Sequence, residues 1–273
     1  MKLLIRTLAR DLQRTLHNVR DCRHREARIH RLLKAAPPLL VYQVGKVGSS
    51  SLEYSLDRSW PGFTVHAHTM APYEGETLEL TGMREFVVKK RKPIFIISVV
   101  REPIARNVSA FFENFDREIN KVGDRPILTV DKMIEIFLTH YPHDHTLTWF
   151  DKHMKADFGI DVYQHPFPST GVQVIEQGHV RLLLMRVEVD DAVKESAVKD
   201  FLGLKEFQIK RVNDAGQKSY SETYRVFREK FIPPDSYLEK MYESRFFKHF
   251  YPGQMEQFVA KWKRLQTPKT LAA

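Results

Sequence analysis

An apolar run at Pro93–Val100 is the feature that most constrains the fold. The run is short and rich in β-branched residues, which is typical of a strand buried on both faces. Arg101-Glu102-Pro103 follows it, and proline is favoured in the first turn of a helix. The segment therefore predicts a buried strand that leads directly into a helix.

A second unit of the same kind lies earlier in the chain. Leu39–Val44 is another short apolar run, Gly45–Gly48 predicts a tight loop, and helical periodicity begins at Ser49. Further strands are predicted at 63–66, 171–175 and 180–187, and further helices at 77–90, 190–202, 219–231 and within 234–263. Strands that alternate with helices predict an α/β fold with a parallel sheet and helices on both faces.

Positive charge is concentrated at the start of the chain. The formal net charge is +9, and residues 1–35 supply +7 of it, with ten Lys/Arg against three acids. Apolar residues recur in this segment at helical spacing: Leu4, Leu8, Leu12, Leu16 and Val19. We predict a basic amphipathic helical arm at 1–36 and an α/β domain with a C-terminal helical extension at 37–273. The arm either packs on the main domain or contacts an anionic membrane or partner surface.

The remaining bulk properties limit which cellular compartment and which classes of partner are expected. The single cysteine, Cys22, excludes an internal disulfide and a cysteine metal cluster. No apolar run approaches the roughly 20 residues that span a bilayer, and the apolar start of the chain is too short for a signal peptide. We expect a cytoplasmic protein, with peripheral membrane contact through 1–35 as an addition. Because the rest of the chain is nearly neutral, a nucleic-acid partner is not expected.

The loop at Gly45–Gly48 has the properties of an anion site. Two glycines let the backbone approach a phosphate, and the first N–H groups of the following helix lack partners. Lys46 adds a cation, and the serines at 49–51 add hydroxyl donors. An ordinary serine-capped helix start is the alternative. The Lys-Ser/Thr step of nucleotide triphosphatases is missing.

Arg101 is predicted at the carboxyl end of the buried strand, where ligands bind in open α/β sheets. Ser109 follows eight residues later, two turns along the next helix. A guanidinium fork and a hydroxyl suit a phosphate. The alternative is structural: an arginine that caps local carbonyls and a serine packed against a helix.

Together the two segments resemble the sulfotransferases that use 3′-phosphoadenosine-5′-phosphosulfate (PAPS). The match covers roughly 39–115, and Val-Arg-Glu-Pro-Ile-Ala-Arg is similar to the carbohydrate branch, which includes uronyl 2-O- and bacterial capsular-polysaccharide-type sulfotransferases. The resemblance implies that the 5′-phosphosulfate binds Lys46, Gly48, Ser49, Ser50 and Ser51, and that the 3′-phosphate binds Arg101 and Ser109. It further implies a P-loop NTPase-like fold, PAPS as co-substrate, a carbohydrate hydroxyl as acceptor, and a late loop, with Lys218 or Arg211, that closes over the nucleotide.

Sulfo transfer requires a base for the acceptor hydroxyl, and histidine titrates in the appropriate range. His66 and His68 end a predicted strand, alternate along it and so face one side. The carbohydrate 2-O-sulfotransferases carry a similar His-x-His, which implies that His68 or His66 is the base; we favour His68. Glu113 is the reserve candidate. The resemblance implies that Lys46 contacts the bridging oxygen of the leaving phosphate as charge develops there. Two histidines alone make an incomplete zinc site, so no metal is expected.

Two other functions compete with sulfo transfer. A P-loop-type kinase or NTPase would use the same loop for a triphosphate with Mg²⁺. A non-enzymatic binder of anionic surfaces or nucleic acid would act through the basic arm.

Overall fold

Five strands form one sheet in the computed structural model, which describes residues 24, 27–115, 129–210 and 220–264. The strands are β1 (Leu39–Tyr42), β2 (Thr64–Ala67), β3 (Ile94–Val100), β4 (Val172–Gln177) and β5 (Val180–Arg186). Their order is β2-β1-β3-β5-β4. The protein is therefore an α/β protein with a sheet at its centre, as the alternating pattern predicts.

The sheet is mostly parallel, and the prediction of a wholly parallel sheet is wrong at one edge. β2, β1, β3 and β5 run parallel, whereas β4 pairs antiparallel with β5, from Val172 opposite Met185 to Gln177 opposite Val180. Only two residues separate these strands, and Gly178 has a φ of 60°. Glycine at the first position of a two-residue turn makes a tight hairpin, so no helical crossover intervenes.

The central strands are buried on both faces because each consists almost entirely of apolar residues. All four residues of β1 are fully buried, and six of the seven residues of β3 are buried. Helices must therefore cover both faces of the sheet.

The path of the chain opens a crevice above the sheet. From β1 the chain crosses to β2 on one side, then crosses back to β3 on the other side of β1. Both crossovers are expected to be right-handed, so crossovers that run in opposite directions along the sheet place their helices on opposite faces. The connections then diverge at the carboxyl ends of β1 and β3 and leave a gap between them.

Helices make up most of the rest of the described chain. They are α1 (27–35), α2 (Ser49–Ser59), α3 (Leu78–Met83), α4 (Pro103–Glu113), α5 (Val130–His140), α6 (His145–Trp149), α7 (Asp191–Leu202), α8 (Ser221–Lys230), α9 (Asp235–Tyr242), α10 (Arg245–Phe250) and α11 (Met255–Arg264). Wider helical turns extend α3 through Arg84–Val88 and α6 through Phe150–Lys155, and Ala156–Phe158 continues the latter. Val162–Gln164 forms a short 3₁₀ helix. No helix in the described ranges is both long and apolar enough to cross a membrane.

Of the predicted arm, the structure describes only residue 24 and residues from 27 onward. Ile29 of α1 is 5% exposed and belongs to the main core. A Cβ atom on Gly82 would lie 2.9 Å from Ile29 Cδ1, so α1 packs closely on α3. The described end of the arm thus packs on the main domain.

Candidate functional site

The loop after β1 is held open by two arginines from the segment after β3. Lys46 and Gly48 both adopt left-handed conformations, with φ of 72° and 80°. The carbonyl of Lys46 accepts from Arg101 Nη1 at 2.9 Å, and that of Gly45 accepts from Arg106 Nε at 2.9 Å. These two hydrogen bonds fix the shape of the loop. Turns that contain left-handed residues are of the kind that forms anion-binding concavities.

The helix after this loop begins without a side-chain cap. Gly48 occupies the capping position, makes no side-chain hydrogen bond there, and no acidic residue lies in the first turn of α2. The first N–H groups of a helix and the positive end of its dipole attract anions. The start of α2 is therefore suited to a phosphate.

A cleft of about 740 Å³ lies in the crevice above β1 and β3. It brings together most of the residues predicted from the sequence: Lys46, Gly48, Ser50, Ser51, His66, His68, Arg101, Ser109 and Glu113. Ser49 starts α2, but its side chain is outside the described part of the protein. Lys218 and Arg211 also lie outside the described residues.

Lys46 is paired with the reserve candidate for the base. Its Nζ lies 3.0 Å from Glu113 Oε2, and the Tyr220 hydroxyl donates to the same oxygen at 2.6 Å. A carboxylate that neutralises Lys46 and accepts from Tyr220 is a poorer proton acceptor than an unpaired one.

His68 presents a basic nitrogen to the cleft. Its Nδ1 lies 2.7 Å from the Gln43 carbonyl, which can only accept, so the proton is on Nδ1 and the lone pair on Nε2. Gln43 is fixed in turn, because its Oε1 accepts from Val99 N at 2.7 Å. A Cβ atom at Gly45 would lie 3.4 Å from His68 Nε2, so that nitrogen sits against the loop. Desolvation, and next the neighbouring His66, lower the pKa of His68 below its ordinary value, which favours the neutral base.

His66 is oriented differently. Its Nδ1 lies 2.8 Å from Glu53 Oε2, and its Nε2 is buried without a partner among the described residues. The hydrogen bond from His66 lowers the pKa of Glu53. The rings of His66 and His68 meet edge to face, with centroids 4.7 Å apart. Since its Nε2 is closed off, His66 is less suited than His68 to contact a substrate.

Two further cleft residues were missed by sequence reasoning. Arg106 is 5% exposed and donates through Nη1 to Tyr141 Oη and Asn107 Oδ1, each at 3.2 Å. Partial burial, and next the charge of Arg106, lower the pKa of His145. Arg106 lies one turn before Ser109 on α4, a spacing that could have identified it. His145 follows a segment with no recognisable motif.

A second cleft, of about 860 Å³, adjoins the first at Gly48 and Ser51. Its wall combines apolar side chains with charged ones: Val47, Leu52, Val99, Val187, Val189, Ile209, Asp190, Asp191 and Lys194. In the described ranges, no three His, Cys, Asp or Glu side chains lie close enough together to hold a metal ion.

Residues 126–252 match the family model NKWYS, described as a putative capsular polysaccharide synthesis protein. The match covers just under half of the chain and includes Tyr141 and His145, while Lys46, Arg101 and Ser109 lie outside it. No match was found among curated proteins or among solved structures. The chain is thus similar to a family linked with capsular polysaccharides.

Proposed function

We propose that this protein is a sulfotransferase that moves the sulfo group of PAPS to a hydroxyl of a carbohydrate. The observation that carries the proposal is a single cleft that is lined by an uncapped helix start, Lys46 and His68, whose Nδ1 donates to a carbonyl and leaves the lone pair on Nε2. An anion site beside a neutral base is what in-line transfer from an anionic donor to a hydroxyl requires.

The donor fits the two adjoining clefts. The 5′-phosphosulfate would bind the amides at 45–51 and Lys46, and the 3′-phosphate would bind Arg101 and Ser109. The second cleft would take the adenine, since it joins the first at Gly48 and Ser51 and offers both apolar and polar side chains to a base. This use of the crevice corresponds to a P-loop-like fold.

The reaction then proceeds by one displacement at sulfur. The acceptor oxygen forms a bond to sulfur while its proton passes to His68 Nε2. The bond from sulfur to the bridging phosphate oxygen breaks, and its electron pair stays on adenosine 3′,5′-bisphosphate. Lys46, released from Glu113, stabilises that oxygen.

The carbohydrate acceptor is supported by the match to the capsular polysaccharide family. The matched range supplies Tyr141, Pro142 and His145 to the wall of the cleft that also contains His68. These residues would contact the sugar. Contact of the arm with a membrane stays a prediction, because residues 1–23 lie outside the described part.

Calorimetric titration with adenosine 3′,5′-bisphosphate in EDTA tests the proposal. We expect micromolar binding to the wild type, loss of most of it in Arg101→Ala, and no change in Arg181→Ala, an exposed arginine paired with Glu176. Transfer from radiolabelled PAPS to bacterial polysaccharides would follow. Failure to bind the bisphosphate, together with Mg²⁺-dependent binding of ATP, would overturn the proposal in favour of a kinase.

A further inference from the structure

Arg106 is a buried cation without a counterion in the described part of the protein. It is 5% exposed, and none of its hydrogen bonds is to a carboxylate. Burial lowers the pKa of its guanidinium, and the charge of Arg101 acts in the same direction. Burying an unpaired charge is costly, and proteins normally compensate it with an opposite charge. A bound anion would provide that compensation.

The hydrogen bonds of Arg106 within the described residues leave one of its nitrogens without a partner. Nε is bonded to the Gly45 carbonyl, and Nη1 to Tyr141 and Asn107. Nη2 has no partner among the described residues, while Arg106 lines the 740 Å³ cleft. The guanidinium is therefore fixed in place with a donor unused.

The position of Arg106 identifies which anion it meets. Arg106 Nε donates to the Gly45 carbonyl, and the His68 ring lies beside Gly45, the residue directly before Lys46. In the proposed reaction, sulfur lies between the oxygen held by Lys46 and the oxygen deprotonated by His68. The three other oxygens of the sulfo group then point sideways from that line, and their charge needs a donor beside it. Arg101 does not fill this role, because it is assigned to the 3′-phosphate with Ser109.

We propose that Arg106 is a catalytic residue that binds the sulfo group during its transfer, an inference that rests on the proposed function. The guanidinium neither gives nor takes a proton. It holds an equatorial oxygen while the bond to the phosphate oxygen breaks and the bond to the acceptor oxygen forms. Its interaction strengthens as sulfur moves toward the acceptor, so its loss should lower kcat more than it raises KM.

Two ligands that differ only by the sulfo group separate this role from others. Wild type and Arg106→Gln would be titrated with adenosine 3′,5′-bisphosphate and with PAPS, without acceptor. We expect Arg106→Gln to lower the affinity for PAPS by about 10-fold or more and to change the affinity for the bisphosphate by less than about 2-fold, because a charge-assisted hydrogen bond is lost only with PAPS. Arg106→Lys should recover part of the loss. Arg101→Gln, the matched control, should weaken both ligands alike.

Other outcomes would overturn the inference. Equal weakening of both ligands by Arg106→Gln would mean that Arg106 only holds the loop through Gly45. Unchanged affinity for both, with unchanged kcat, would mean that it meets neither ligand. If Arg106→Gln does not fold, as judged by thermal unfolding, the comparison is made with Arg106→Lys, for which unchanged PAPS affinity and kcat would be the contradicting result. A wild type that binds neither ligand would instead reject the proposed function itself.

Discussion

The starts of α2 and α4 occupy equivalent places in the fold but treat negative charge in opposite ways. Both helices follow a parallel strand of the central sheet. At α2, the capping residue is Gly48, which has no side chain to accept hydrogen bonds from the first amides of the helix. At α4, the Glu102 carboxylate accepts from Ile104 N at 2.7 Å and from Ala105 N at 2.8 Å. One helix start lacks a side-chain cap, whereas the other is occupied by a carboxyl group of the same chain.

The difference shows that topology alone does not make a phosphate site. Glu102 is 1% exposed, and Tyr242 donates to its carboxylate at 3.0 Å, so the cap is fixed by the C-terminal helices. Burial raises the pKa of Glu102, while the two amides at the helix start oppose that shift. A helix start that is occupied in this way stabilises the fold and leaves phosphate binding near it to the Arg101 side chain.

The largest effect is expected where the open helix start faces the base. His68→Gln should lower the rate of sulfo transfer by on the order of 10²–10⁴, because the lone pair at Nε2 is lost. His66→Gln, the matched control, should lower it by less than about 10-fold, since His66 Nε2 is closed off. Initial rates with radiolabelled PAPS measure both. Equal losses in the two variants would mean that the histidines act as one unit.

A carboxylate at the capping position of α2 would make the start of this helix resemble the start of α4. The affinity for adenosine 3′,5′-bisphosphate should be about 100-fold lower in Gly48→Asp than in Gly48→Asn, because the introduced charge competes with phosphate for the same amides. Asp and Asn share their shape and their tolerance of the left-handed conformation, and in both Cβ would lie 3.1 Å from Val187 Cγ2. Calorimetry on the pair therefore isolates charge from strain. Equal affinities would show that phosphate does not bind this helix start.

Removing the charge at α4 should affect stability and not binding. Glu102→Gln should lower the free energy of unfolding by about 1–2 kcal/mol, because an amide oxygen replaces only part of the cap. The affinity for the bisphosphate should stay within about 2-fold, as Glu102 does not line the cleft. Urea unfolding and calorimetry measure the two quantities. A large loss of affinity without a loss of stability would contradict the assignment of Glu102 as a structural cap.

The smallest effect is a change in pH dependence at the open site. Because the pKa of His68 is lowered below 6.5, the rate should fall only as the pH drops through a value below that of an ordinary histidine. His66 and Arg106 lower this pKa, whereas the Gln43 carbonyl and Glu53 raise it. His66→Gln should therefore move the acid limb of the kcat profile to higher pH. A limb that stays in place would argue against His68 as the titrating base.

Local patterns were sufficient to predict both of these helix starts but not the side-chain cap of α4. The apolar runs, the glycines at 45 and 48, and Pro103 act within a few residues, and they predicted β1, β3 and the starts of α2 and α4. Glu102 is not among the preferred capping residues, so its role became visible only in the contact with Tyr242. The sequence likewise could not show that Arg106 lacks a carboxylate partner among the described residues, because that depends on where the fold places the acidic side chains. The antiparallel β4 was predictable from Gly178, but the alternating pattern was followed instead.

Gln43 contacts both β3 and His68. The backbone pairing of β1 with β3 ends at Val41 opposite Ile97, and beyond it the Gln43 side chain takes the place of a backbone acceptor for Val99 N. The two strands are thus spaced by the length of one side chain at the point where they separate. Its own carbonyl meanwhile holds His68. One glutamine therefore links the point at which the two strands separate to the orientation of the histidine that is the base in the proposed reaction.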